Sequence, residues 1–186
     1  MILYFMFITA LISLWCFSSL FRVLSQDLKT AVYWHNLLFF GSAFSPPVFL
    51  LFLLAYLNRL EAIPLRWRWL LFVIPILAQV AIWTDQDIHL FHNSIRFEQR
   101  DGVIVIADWQ TGLFFFIHTF HGYILISIIF FIIIWQAIRK NISIREMLLL
   151  LSYVMLPLIA SLLYTFKLVR VSQPITPIAF FMAYLL

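Results

Sequence analysis

Two His-x-x-His pairs, His89/His92 and His118/His121, are the residues whose type and spacing best suit chemistry. On a helix, positions three apart share a face, so each pair offers two imidazole nitrogens to a metal or haem iron. If both pairs lie at similar depth, a four-histidine redox site is geometrically conceivable. Helix interiors without carboxylates, and the absence of larger histidine clusters, argue against it, and the expectation is that the chain holds no metal and no other cofactor. Interfacial histidines that hydrogen-bond to a loop or to water are the simpler reading. A protonation switch near an imidazole pKa of about 6.5 is a third.

Other chemistries find no residues. The chain has four glycines and no glycine-rich phosphate loop, no Ser/His/Asp order and no cysteine nucleophile. Its single cysteine, Cys16, lies in an apolar run and reads as a small apolar filler. No disulfide is available to it within one chain. An ion-coupled permease is disfavoured because ionised side chains are absent from the middles of the apolar runs. Gln79 and Gln136 are the main amides within those runs and read as interhelical hydrogen bonders.

The elements that position these residues are membrane helices. Of 186 residues, 65% are hydrophobic and 11% are charged, and mean hydropathy is +1.03. A soluble domain carries about 45–50% apolar and about 25% charged residues. Runs able to cross about 30 Å of hydrocarbon occur at about 1–21, 32–57, 69–84, 112–138 and 147–166, with a sixth at 174–186. Trp67, Trp69 and Trp83 extend the short third run at its two interfaces. The fold class expected is an all-α membrane bundle of about six helices, forming one domain over 1–186. Residues 1–21 lack a basic leader and a cleavage site, so they read as a retained helix. The sixth run ends at Leu186, about 20 Å along at 1.5 Å per residue. A carboxylate there would stand in hydrocarbon, so the sequence is expected to be a piece of a longer protein.

The net charge of +4 does not indicate nucleic acid, because Lys and Arg occur singly or in small clusters between apolar runs. They mark topology instead. Arg59, Arg66 and Arg68 follow the second run, and Arg139, Lys140 and Arg145 follow the fourth, so these loops are expected in the cytoplasm together with both termini. On the other side Arg22, Lys29, Arg96, Arg100, Lys167 and Arg170 are diluted by Asp27, Asp85, Asp87, Glu98, Asp101 and Asp108.

One long connection, 85–111, has a strand-like pattern. Residues 95–99 alternate, Arg100-Asp101-Gly102 punctuates, and 103–107 are mostly β-branched, so an extracellular β-hairpin is expected over about 95–107. Alone in water it would be marginal, which suggests a lid over the bundle. Prolines at 46, 47, 75 and 157 should kink their helices, while Pro174 and Pro177 open the sixth. Kinked helices rich in aromatics, 19% of the chain, would leave a cavity. The pocket expected from these features is bounded by the lid, His89, Trp109, His118, His121 and Tyr123, and takes a small apolar or aromatic ligand or responds to the membrane itself.

Several segments resemble a known family. These are Gly41-Ser42-Ala43-Phe44-Ser45-Pro46-Pro47 followed by Tyr56, Thr84 with His89, Gly112-Leu113-Phe114-Phe115 with Tyr123, Pro157 with Tyr164, and Ile175-Thr176-Pro177-Ile178-Ala179-Phe180. In order and spacing, over about residues 30–186, they resemble the N-terminal seven-helix sensory region of bacterial histidine kinases. The chain departs from that pattern in having Pro174 where an acid is expected and Ser161 where an asparagine is expected. The resemblance aligns residues 1–21 with the family's second helix. It implies signal reception without catalysis, a cytoplasmic kinase, cyclase or phosphatase output domain, and homodimerisation.

Overall fold

A computed structural model describes residues 1–85, 89–100 and 102–165. The expected sixth run at 174–186, with Pro174 and Pro177, lies outside the described residues, as do Asp87, Asp101, Lys167 and Arg170.

Among the described residues the bundle is all-α apart from one hairpin. Its helices are α1 (Ile2–Leu24), α2 (Leu28–Tyr56), α3 (Leu65–Leu70), α4 (Val73–Trp83), α5 (Leu113–Ile138) and α6 (Ile144–Thr165). With α3 and α4 taken as one span, five helical segments among the described residues are long and apolar enough to cross a membrane. Their large exposed side chains, such as Phe5, Phe17, Val80, Phe120 and Phe131, suit contact with lipid tails. The molecule divides into two units, Met1–Leu125 and Ile126–Leu186.

In the first unit α2 is the central helix. Over its most apolar stretch 56% of residues are buried, against 22% or fewer in the other spans. Asp27 caps its start, accepting from the Thr30 amide at 2.9 Å and from the Thr30 hydroxyl at 2.8 Å. These bonds hold the exposed Asp27 carboxyl below its usual pKa. At Gly41 a Cβ would lie 2.7 Å from both the Leu11 carbonyl oxygen and the Trp15 Cβ, so glycine lets α1 and α2 approach backbone to backbone. Gly122 of α5 faces the Pro46 ring less tightly, where a Cβ would make an ordinary 3.9 Å contact.

The prolines act differently at each place. Helix α2 runs unbroken through Pro46 and Pro47, and the Ser45 hydroxyl donates to the Gly41 carbonyl just ahead of them. Pro75 has the strongest local effect. Lacking an N–H, it leaves the Leu71 carbonyl without its helical donor, and the third span is interrupted at Leu71–Phe72, between α3 and α4. Arg68 Nε and Nη2 donate to the Ile63 and Leu60 carbonyls at 2.8 and 2.9 Å. This residue therefore braces the 57–64 connection besides contributing positive charge to it.

Strands β1 (His92–Arg100) and β2 (Val103–Thr111) form the expected hairpin, longer at each end than 95–107. Arg100 pairs with Val103, and Gly102 supplies the turn with φ +79. The ladder is irregular between His92 and Ser94 and between Arg96 and Phe97. Its base is closed by Gly112 N–H donating to the Phe91 carbonyl at 2.9 Å. A Cβ on Gly112 would collide with the Leu90 carbonyl, so a side chain is excluded there.

In the second unit α6 begins with a reciprocal cap. Ser143 N–H donates to Glu146 Oε2 at 2.7 Å and Glu146 N–H to Ser143 Oγ at 3.2 Å. Pro157 lies within α6, which continues past it. Ahead of α6, Asn141 Nδ2 donates to Gln136 Oε1 at 2.6 Å, and the Arg139 guanidinium sits 4.8 Å from the Trp135 ring centre.

Candidate functional site

The residues that come together lie in the first unit, where the hairpin base meets α2, α4 and α5. Asp85 lies two residues past the end of α4 and organises the base. Its Oδ1 accepts from the amides of Phe91 at 2.7 Å and His92 at 3.1 Å, and its Oδ2 accepts from the His92 amide at 2.9 Å. The same Oδ2 lies 2.8 Å from His92 Nδ1. A carboxylate has only acceptors to offer, so Nδ1 carries the proton and donates it. In neutral His92 the Nε2 lone pair is then free, and it faces Nε2 of His35 on α2 at 3.5 Å.

Burial pulls the His92 imidazole below its usual pKa, against the opposing hydrogen bond and charge of Asp85, and so favours the neutral ring. His35, His92 and Asp85 are all buried. Arg22, near the end of α1, is fully buried as well and lies close enough to His35 to act on it electrostatically. From its sequence position Arg22 reads as a loop charge; the structure places it inside α1, in the protein interior.

Aromatic rings enclose this polar chain. His35 meets Phe39 and Phe97 edge-on at 5.3 and 5.4 Å between ring centres. Phe91 packs on Phe39 at 4.8 Å, and Trp109 of β2 stands 5.1 Å from Phe115 and 6.4 Å from His92. Around them Ala78, Ala81, Ile82, Phe91 and Phe115 form a buried apolar cluster, joining the end of α4 to the hairpin base and to α5.

The expected pocket residues are only partly brought together. Trp109 and His118 belong to the cluster, the latter buried with its ring 6.2 Å from both Phe39 and Phe91. His121 lies three positions further along α5 and is half-buried, as is Tyr123, whose hydroxyl is enclosed. His89 is exposed at φ +52, and its backbone N–H donates to the Asp85 carbonyl at 3.0 Å. His89 and His92 therefore do not share a helix face as their spacing suggests. Helix α4 ends at Trp83, and His92 already belongs to β1. Among the described residues no three or more His, Cys, Asp or Glu side chains gather as a metal cluster, so the two pairs do not form a four-histidine site.

Spacing alone misses His35 and Asp85. His35 interrupts the apolar 32–57 run, and an ionisable residue inside a membrane helix is by default a functional candidate. Asp85 has no such signal, since its partners depend on how the 85–92 segment folds back.

A family model described as the N-terminal 7TM region of histidine kinase matches residues 2–186. The match takes in α1, which precedes the segments that carry the resemblance in the sequence. No curated protein matches, and no solved structure matches.

Proposed function

Since the chain belongs to the family of N-terminal 7TM regions of histidine kinases, we propose that it receives a signal at its hairpin end and relays it to a cytoplasmic output domain. The carrying observation is the Asp85–His92–His35 chain, in which the first residue of the hairpin is hydrogen-bonded to Asp85, just past the end of α4, and packs its ring 5.3 Å from that of His35 on the central helix α2. A ligand or membrane change that moves the hairpin would act directly on α2. Such coupling needs only that the stimulus favour one arrangement of these helices over another.

In this reading the hairpin end is extracellular, because Arg59, Arg66, Arg68, Arg139, Lys140 and Arg145 hold the opposite loops in the cytoplasm. Both termini are then cytoplasmic. Trp109 and His118 line the receiving region with His35 and His92, and a small apolar or aromatic ligand suits its aromatic walls. His89, His121 and Tyr123 border it. The output is a kinase, cyclase or phosphatase, and a kinase output would make the assembly a homodimer.

The test is a chimera joining this region to a histidine kinase output, assayed for basal and stimulated phosphorylation. Trp109→Ala and His118→Ala should each change output at least about threefold while abundance and insertion stay constant. Arg139→Gln should instead disturb topology or coupling. If both hairpin-end variants behave as the parent under every condition that drives it, the hairpin end is not where the signal enters.

A further inference from the structure

We propose that His35 and His92 form a transition-metal site beneath the hairpin, their facing Nε2 atoms taking an imidazole-preferring divalent ion of the Zn2+, Ni2+ or Cu2+ class.

Distance is the first argument. The two Nε2 atoms are 3.5 Å apart, beyond the roughly 2.7–3.2 Å of a well-formed hydrogen bond from an N–H donor. Two imidazoles binding one tetrahedral ion at about 2.0–2.1 Å hold their nitrogens about 3.3–3.4 Å apart. The observed gap is therefore nearer to the bite of a shared ion than to a direct hydrogen bond.

The lone pairs are also arranged for it. Asp85 Oδ2 at 2.8 Å holds the His92 proton on Nδ1, which leaves Nε2 as the electron-pair donor. A carboxylate behind a ligand histidine fixes the ring orientation and strengthens its basicity, the usual outer support of a metal-bound imidazole. On the other side, His35 Nδ1 is buried and has no hydrogen-bond partner among the described residues. An ion on Nε2 of His35 places the ring proton on Nδ1 and leaves that buried donor unpaired, a cost that the metal bond must offset.

Charge sets a limit on the site. Asp85 supplies one negative charge beside it, while the buried Arg22 guanidinium opposes a dication. With two protein nitrogens, the remaining positions fall to water or a small anion, and an anion would offset Arg22. The inference deepens the sensory reading by naming a stimulus class and rests on that reading only for its consequence, since binding is measured separately from signalling.

The purified full chain in detergent is loaded with ZnCl2, desalted and assayed for metal per chain. One ion per chain is expected. It should be retained in His89→Ala and His121→Ala, lost in the double variant His35→Gln/His92→Gln, and bound about 10- to 100-fold more weakly in Asp85→Asn. Co2+ loading of the unaltered chain should give the visible bands of an imidazole-bound tetrahedral ion, a readout that does not depend on the variants folding. No ion above the level of the double variant, an ion that persists in it, or no such Co2+ bands would each overturn the site. A chimera that responds through Trp109 and His118 equally with and without chelator would remove the metal as stimulus and leave reception at the hairpin end standing.

Discussion

At the residue scale Asp85 is the side chain on which the candidate site depends. Three donors converge on it, the amides of Phe91 and His92 and the His92 ring nitrogen, all buried. Removing the acceptor strands these donors away from water, and an unsatisfied buried donor costs about 1–3 kcal/mol. Asp85→Ala should therefore destabilise the first unit by roughly 3 kcal/mol or more, since the His92 ring can relieve its share by changing tautomer. Asp85→Asn keeps one acceptor oxygen and should cost less. Thermal unfolding in detergent reads the order parent, Asn, Ala; an Ala variant that melts with the parent would show that the hairpin base does not need Asp85. None of this is visible in the His-x-x-His spacing, which directs attention to His89. Spacing assumes a helix, and the helix ends before either histidine of that pair.

At the element scale the packing of α1 on α2 turns on Gly41. A methyl group there would be pressed to 2.7 Å against the Leu11 carbonyl oxygen and the Trp15 Cβ, backbone-proximal atoms that cannot rotate away. Association of membrane helices relies on close packing rather than on a hydrophobic drive, so losing this approach is costly. Gly41→Val should lower both the melting temperature and the yield of folded protein. Gly122→Ala, whose Cβ meets Pro46 at an ordinary 3.9 Å, should be close to neutral. The comparison of the two variants checks the packing, and equal behaviour would refute it. Prolines show how far local rules reach. Pro75 coincides with a break in its span, whereas α2 passes Pro46 and Pro47 without interruption, its neighbours α1 and α5 packed close at Gly41 and at Gly122.

At the scale of the whole molecule, the orientation proposed from loop charge predicts what cysteine labelling will find. In a Cys16→Ala background, an impermeant reagent applied to intact cells should label a cysteine at position 101 and spare cysteines at 66 and 139. Labelling of 66 without 101 would invert the topology and with it the side that receives the signal. The membrane class, the five described spans to within a few residues, the hairpin and the family are all legible in the sequence. Each rests on a property carried by local stretches of chain, such as apolar run length, strand alternation, turn residues or ordered motifs. The candidate site takes shape only in the tertiary structure. Asp85, His92 and His35 are up to 57 residues apart in the chain, and their meeting requires the hairpin base to fold onto α2. A spacing rule sees neighbours within one element, while a buried polar chain is made by elements that pack together.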